Sequence, residues 1–239
     1  MDLHLTGKTA LVTGRNQAKL DEAVASIRAS GGAKVSGVLA DAATAEGAET
    51  LLKTAPQVDI LVNNLGIYEM KAFADITDAD WQNLFDVNVM SGVRLSRGYF
   101  PGMLERNWGR VIFISSESGL AIPGEMVHYG MTKSAQLAVA RGMAQQTKGT
   151  GVTVNSVLPG PTRAAGIFDF LKSVSSNPEG TPAEHEAEFF EKHRTSSLLQ
   201  RMIEPQEVAS LVAYVASPLS AATNGASLKV EGGLVTTIA

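Results

Sequence analysis

Short apolar runs rich in β-branched residues alternate with longer segments of helical character along almost the whole chain. The apolar runs cover residues 9–13, 34–40, 59–63, 110–115, 153–157 and 226–230. Strands that alternate with helices in this way are typical of a parallel sheet covered by helices on both faces. The sequence therefore predicts the α/β class, with a doubly wound parallel sheet of the Rossmann-like kind.

Helix boundary signals support this pattern at three places. Asn16 is suited to cap a helix over residues 17–30, because its side-chain oxygen can accept from a free backbone amide of the first turn. Thr77 and Asp80 have the spacing of a capping box, with Asp in place of the usual Glu. Pro205 suits the first position of a helix that runs to about residue 216.

Composition and charge limit the classes of function. Lys plus Arg number 20 and Asp plus Glu number 24, which gives a formal net charge of −4. No basic cluster is present, so a nucleic-acid partner has no electrostatic support. Cysteine is absent, which excludes disulfides within the chain, and no apolar run approaches the ~20 residues that a membrane span needs. We expect a cytoplasmic protein with a single domain over residues 1–239.

Tyr129 is the only one of the four tyrosines that has a lysine four residues later. This spacing places Tyr129 and Lys133 on one face of a helix. A nearby ammonium favours the phenolate, so Lys133 is expected to lower the pKa of Tyr129 from its free value of ~10 toward working pH. A tyrosine tuned in this way is a general acid/base. Taken alone, however, such a pair is more typical of an ordinary exposed helix.

Two further polar residues precede this pair in the chain. Ser116 follows the apolar run at residues 110–115, and Asn88 lies farther upstream. In this order, Asn88, Ser116, Tyr129 and Lys133 resemble the catalytic tetrad of the short-chain dehydrogenase/reductase family, and nearly the whole chain resembles its 3-oxoacyl-acyl-carrier-protein reductase-like branch. Other segments that match family motifs, in family order, are Asp41, Asn63-Asn64-Leu65-Gly66, Pro159-Gly160-Pro161-Thr162 and Glu231-Gly232-Gly233.

The resemblance implies a nicotinamide-dependent oxidoreductase that acts on a small carbonyl or secondary-alcohol substrate. Tyr129 would exchange the proton, Ser116 would hold the carbonyl oxygen, and Lys133 would also bind the nicotinamide ribose. Two interpretations of Asn88 remain open: it fixes a water that links Lys133 to solvent, or it satisfies local backbone groups.

The resemblance also implies the cofactor-binding residues. Asp41 would contact the adenine, and other residues would line the cofactor, namely Asn63, Gly66, Tyr129, Lys133, Pro159, Gly160 and Thr162. Gly66 and Gly160 fit equally well as turn glycines. Gly14 would also bind the cofactor, either as part of the Thr-Gly after the first strand or as part of the Gly-Arg that relatives using NADP have after their second strand. Arg15 is either a ligand of a 2′-phosphate, which favours NADP(H) over NAD(H), or a solvated residue at a helix start.

The largest departure from the family lies between Gly14 and Arg15. Family members have a glycine-rich phosphate loop, a helix and a strand here, and about two dozen residues are missing by that comparison. The loss of this αβ unit leaves two arrangements open. Either the strand predicted at residues 34–40 moves beside the first strand, or a slot ~4.8 Å wide stays empty.

Residues 161–201 carry no strand signal and match the position of the family's mobile substrate lid. Glu117 and Glu125 lie near the expected mouth of the active site, where substrate contact and surface polarity explain them equally well. The histidines are too scattered for a metal site, and these are His4, His128, His185 and His193. The resemblance implies a homotetramer or homodimer, and the competing hypothesis is a non-catalytic homologue that acts as an oligomeric scaffold.

Overall fold

The computed structural model describes residues 2–12, 16–29, 35–164 and 166–238. Within these residues, five parallel strands form one sheet in the order β1-β2-β3-β4-β5. The strands are β1 Ala10–Val12, β2 Ile60–Asn63, β3 Gly109–Ile114, β4 Val152–Pro159 and β5 Ser227–Val230. The predicted α/β class with a parallel, helix-flanked sheet is confirmed.

Eight α-helices connect and cover the described strands. They are α1 Gln17–Ala29, α2 Ala45–Thr54, α3 Asp78–Phe85, α4 Ser91–Glu105, α5 Val127–Gln145, α6 Ile167–Val174, α7 Pro182–Lys192 and α8 Pro205–Ala216. A π-helical turn over Asp86–Met90 joins α3 to α4. In the part of the chain that the structure describes, no helix is long and apolar enough to cross a membrane.

The predicted helix starts are present in the structure. Asn16 Oδ1 accepts a hydrogen bond from the Lys19 amide at 3.0 Å, as expected of a helix cap. Thr77 and Asp80 form both halves of the capping box of α3, and Pro205 is the first residue of α8.

The strand predicted over residues 34–40 is wrong for the residues that the structure describes. Residues 35–40 form no strand, and β1 pairs directly with β2, with Leu11 opposite Leu61. In a doubly wound sheet the missing strand would separate β1 from residues 34–40. Without that strand these residues have no ladder partner, so neither of the two predicted arrangements is present in the described chain.

The hydrophobic core lies on both faces of the central strands. On one face Leu61, Val111 and Val154 are fully buried and belong to a cluster with Leu95 of α4. On the other face Ile112 and Val157 belong to a cluster with Val215 of α8. Burial on both faces explains why these strands are continuous apolar runs rather than alternating ones. The parallel arrangement also brings the carboxyl ends of β2, β3 and β4 to one edge, where ligands bind in open α/β sheets.

Candidate active site

Tyr129 and Lys133 lie on successive turns of α5, beside the carboxyl end of β3. Lys133 Nζ donates to the Ile114 carbonyl at 3.0 Å and to Gln136 Oε1 at 3.3 Å. The same nitrogen lies 5.6 Å from the centroid of the Tyr129 ring. Burial lowers the pKa of Lys133 to about 8, although the carboxylate of Glu117 acts in the opposite direction.

The pKa of Tyr129 differs from the prediction. Burial raises this pKa, the carboxylate of Glu117 raises it further, and a hydrogen bond with Ser116 opposes the rise only in part. The lowering expected from Lys133 is therefore wrong for this structure. The physical reason is that low-dielectric surroundings disfavour the phenolate, while the Lys133 ammonium is engaged by Ile114 and Gln136. Tyr129 is held in its protonated form.

Ser116 lies just beyond the end of β3 and caps a short 3₁₀ turn. Its Oγ accepts from the Ser118 amide at 3.1 Å. Its hydroxyl donates to Glu117 Oε2 in a very short hydrogen bond, and its side chain also bonds Tyr129. The Ser116 proton is therefore directed at Glu117, whereas the expected role of Ser116 requires that proton to reach a carbonyl oxygen.

Asn88 lies in the π-helical turn and is fully buried. Its Oδ1 accepts from the Ile67 amide at 2.8 Å, and its Nδ2 donates to the Ile67 carbonyl and to Thr132 Oγ1, both at 2.9 Å. The Asn88 backbone carbonyl accepts from Gln136 Nε2 at 2.6 Å. Gln136 thus links Asn88 to Lys133 directly. A π-bulge is frequent at functional sites, because it re-aims side chains within a helix.

The residues predicted to line the cofactor fall into two groups. Asn63 ends β2, where its Nδ2 donates to Ser96 Oγ at 3.2 Å and its buried Oδ1 has no hydrogen-bond partner in the described chain. A Cβ placed on Gly66 would lie 3.4 Å from Lys133 Nζ, so this backbone closely approaches the Lys133 site. Asp41 precedes α2, and its Oδ1 accepts a hydrogen bond from the Ala43 amide at 3.0 Å.

The second group follows β4. Pro159 is the last residue of β4 and is paired with Val230. Gly160 and Thr162 line the cavity described below, and Thr162 Oγ1 donates to the Gly160 carbonyl at 2.8 Å. Gly14 and Arg15 lie outside the described residues, so the structure leaves their predicted roles as predictions.

A cavity of about 210 Å³ opens beside Ser116 and Tyr129. Aromatic and aliphatic side chains form most of its wall, and these are Tyr68, Met126, Ile167, Phe170 and Phe189. Glu117 and Arg194 add two charged groups to the wall. Tyr68 contacts the Tyr129 ring edge-on, with the ring centroids 6.2 Å apart. The cavity is therefore mostly apolar with a few polar groups in its wall, as small-molecule sites usually are.

Sequence reasoning missed two residues of this site. Gln136 lies three positions after Lys133, a spacing that places both on one helix face, so a signal was present. Arg194 reaches Glu117, with 3.6 Å between Nε and Oε1, from a distant part of the chain. No local pattern connects those two residues.

Comparison with known proteins agrees with this geometry. The sequence model of the short chain dehydrogenase family matches residues 1–171. The uncharacterized oxidoreductase YvaG of Bacillus subtilis is 43% identical over 264 aligned positions, with 100% of both chains covered. The 3-oxoacyl-acyl-carrier-protein reductase FabG of Vibrio cholerae is 30% identical and covers 97% of this chain and 99% of its own. The crystal structure of L-sorbose reductase from Gluconobacter frateurii, complexed with NADPH and L-sorbose, has a TM-score of 0.91 at 25% identity, with both chains covered completely.

The chain belongs to the short-chain dehydrogenase family, and the resemblance drawn from its motifs is confirmed. This family membership makes the protein an oxidoreductase of the nicotinamide-dependent class. The alignment with YvaG is 25 positions longer than the 239 residues of this chain. That difference has the size of the αβ unit whose absence after Gly14 is predicted from the sequence.

Proposed function

We propose that the protein interconverts a small ketone and the corresponding secondary alcohol, with Tyr129 as the general acid/base. The observation that carries this proposal is the position of Tyr129 on the wall of the cavity beside Ser116, with Lys133 Nζ 5.6 Å from the centroid of its ring. A phenol at this position can donate its proton to a developing alkoxide. The keto sugar bound by the L-sorbose reductase relative supports a carbonyl substrate.

The residues around Lys133 fit a nicotinamide cofactor. The unpartnered buried Oδ1 of Asn63 and the close approach of the Gly66 backbone to Lys133 Nζ are features of a site built for a polar ligand. Lys133 and Tyr129 would hold the nicotinamide ribose, and Asn63, Gly66, Pro159, Gly160 and Thr162 would line the cofactor. When bound, the cofactor exchanges a hydride with the carbonyl carbon.

The chain's own side chains handle the proton. Tyr129 gives its proton to the carbonyl oxygen during reduction and takes it back during oxidation. Lys133, whose pKa is lowered to about 8, is poised to exchange a proton near neutral pH. Gln136 holds the Lys133 ammonium and the Asn88 carbonyl in one hydrogen-bonded chain, which fixes the orientation of the lysine.

We favour NADP(H) as the cofactor, with Arg15 at the 2′-phosphate and Asp41 at the adenine. The NADPH bound by the L-sorbose reductase relative supports a nicotinamide cofactor, and the preference for NADP(H) rests on Arg15 alone. A guanidinium suits a phosphate because it makes bidentate, charge-assisted hydrogen bonds. The scaffold alternative gains no support, since the relatives compared above are named as oxidoreductases or reductases.

We also propose a lid and an oligomer. Residues 161–201 contain α6 and α7. The rings of Phe170 and Phe189, one from each helix, line the cavity with their centroids 6.1 Å apart, and this segment would close over the substrate. A homotetramer or homodimer would form through α4 and α5. On α5, Ala138 and Gly142 are exposed and available for close helix contact.

The substitution Tyr129→Phe tests the proposal. It keeps the ring and removes the proton donor, so ketone reduction with NADPH should fall by about 10²- to 10⁴-fold, while cofactor affinity changes little. Tyr214→Phe, on α8 and 38% exposed, is the matched control and should behave like the unaltered protein. Near-normal turnover of any accepted ketone by Tyr129→Phe would show that the assignment of the acid is wrong.

A further inference from the structure

Glu117 places a buried carboxylate on the wall of the active-site cavity. The residue is 4% exposed, and the Ser116 hydroxyl donates to its Oε2. Ser118 Oγ donates to its Oε1 at 3.1 Å. Glu117 also raises the pKa of Tyr129 through its charge. The carboxylate therefore shares one end of the cavity with the two hydroxyl groups that would hold the reacting oxygen.

The positive partner of this carboxylate stays beyond hydrogen-bond distance. Arg194 Nε lies 3.6 Å from Glu117 Oε1, and Arg194 Nη1 lies 3.9 Å from Glu125 Oε1. Arg194 Nη1 donates instead to the His193 carbonyl at 2.8 Å. A carboxylate offers about four acceptor positions, and the two serine hydroxyls occupy two of them. Glu117 thus keeps acceptor capacity at the cavity wall.

The Glu117 carboxylate disfavours an anionic substrate group beside it. The Arg194 guanidinium lies near the carboxylates of Glu117 and Glu125, and the Lys133 ammonium also interacts with the charge of Glu117. A substrate carboxylate in the cavity would be repelled by Glu117, and in a mostly apolar cavity this repulsion is screened weakly. A neutral group that donates a hydrogen bond meets no such repulsion and can use the free acceptor capacity.

The distance between Glu117 and the reacting oxygen limits which substrate atom can carry the hydrogen-bond donor. A carbonyl oxygen hydrogen-bonded to Ser116 or Tyr129 lies about 2.7 Å from the donor oxygen. Glu117 Oε2 is itself within hydrogen-bond distance of Ser116 Oγ, so it lies within about 5 to 6 Å of the carbonyl oxygen. A hydroxyl on the carbon next to the carbonyl can span this distance.

We propose that Glu117 is a specificity-determining residue that selects ketones with a hydroxyl on the neighbouring carbon, an inference that rests on the proposed function. That hydroxyl donates to Glu117 Oε2 in place of Ser116, and the released Ser116 hydroxyl turns to the carbonyl oxygen. A ketone without the hydroxyl leaves Ser116 bonded to Glu117. Discrimination follows because, without the substrate hydroxyl, Ser116 is not released and the carbonyl oxygen lacks the Ser116 hydrogen bond.

Three ketones of matched size test the inference: hydroxyacetone, 2-butanone, which lacks the hydroxyl, and pyruvate, which has a carboxylate. With NADPH, the unaltered protein should show kcat/KM in that descending order. Glu117→Gln keeps the shape and removes the charge, so the ratio of kcat/KM for hydroxyacetone over 2-butanone should fall by roughly 10- to 100-fold, the range for a hydrogen bond to a charged group. Glu125→Gln, which removes the other carboxylate near Arg194 without touching Ser116, should keep the ratio.

Thermal unfolding of each variant verifies that it is folded. Saturation-transfer NMR of hydroxyacetone and 2-butanone, with NADP⁺ present, measures binding without turnover. Preferential binding of hydroxyacetone that is lost in Glu117→Gln supports the inference even if no ketone is reduced, in which case only the proposed reaction fails. Reduction of hydroxyacetone and 2-butanone with equal kcat/KM, or a ratio unchanged in folded Glu117→Gln, overturns the inference and leaves the proposed reaction standing.

Discussion

The N-terminal region (residues 2–44) and the catalytic half (residues 109–160) are packed very differently. In the described part of the N-terminal region, Ala40 and Ala42 are the only buried residues, and none of the three residues of β1 is buried. By contrast, seven of the eight residues of β4 are buried. The active-site geometry on α5 and β3 therefore depends on a core that needs little from the N-terminal edge.

The two regions correspond to two tasks of the family's sheet, which are positioning the catalytic residues and binding the nucleotide. The polar groups around Tyr129 and Lys133 are positioned by buried helices and strands. The N-terminal region is where the missing αβ unit is predicted, and its described residues form a short strand and a helix, α1, neither of which has a buried residue. We infer a chain with an organised catalytic half and a weakened cofactor half.

Restoring the missing unit should have the largest effect. The pyrophosphate in this family is held by backbone amides and a helix N-terminus, and each charge-assisted hydrogen bond contributes roughly 1.5 to 3 kcal/mol. Grafting the loop, helix and strand of a full-length family member between Gly14 and Arg15 should therefore tighten NADPH binding by about 10²- to 10⁴-fold. Fluorescence titration of NADPH measures both dissociation constants.

A graft whose loop glycines are replaced by alanine is the matched control, because it restores the strand without the close backbone approach. Micromolar affinity in the unaltered chain, equal to that of the full graft, would contradict this account of the phosphate site.

Large-to-small substitutions should separate the two regions by stability. Leu95→Ala, at a fully buried position of α4, should lower the free energy of unfolding by about 2 to 5 kcal/mol, because it leaves a cavity. Leu39→Ala, at a position that is 54% exposed, should change it by less than about 0.5 kcal/mol. Urea denaturation followed by circular dichroism provides the comparison, and similar losses at both positions would mean that the N-terminal region is part of the cooperative core.

Lys133 should make stability depend on pH. Its pKa in the folded state, about 8, lies below its ordinary value of 10.5, so the unfolded chain binds more protons between these two values. The free energy of unfolding should then rise with pH across this window, by an amount on the order of 3 kcal/mol. The difference between the unaltered protein and Lys133→Met isolates this contribution, and Lys53→Met, on α2 and exposed, is the control. A parallel pH dependence in both proteins would refute the assignment.

Substitutions of helix caps should have the smallest effect on the free energy of unfolding. Thr77→Ala removes one half of the capping box of α3 and should cost about 1 kcal/mol of global stability. Asn16→Ala removes the cap of α1, yet it should leave global stability almost unchanged, because a helix without buried residues can unfold locally. Hydrogen exchange on the amides of both helices distinguishes local from global opening.

Local patterns predicted most of the secondary structure. The apolar runs at β2, β3, β4 and β5 were recognisable because strands buried on both faces are continuously apolar. The cap signals at Asn16, Thr77 and Pro205 were equally local. The strand predicted from the apolar run at residues 34–40 was wrong for a physical reason. A strand needs a neighbouring strand for its backbone hydrogen bonds, and residues 35–40 have no such neighbour in the sheet.

Sequence by itself determined the family, the α/β architecture and the order of the candidate site residues along the chain, because each rests on residue types at short, characteristic spacings. Only the tertiary structure decided how those residues interact. It directed the Lys133 ammonium to Ile114 and Gln136, raised the pKa of Tyr129 by burial, and turned the Ser116 proton toward Glu117. Burial and contacts between distant parts of the chain set these properties, and neither is encoded in the spacing of a motif.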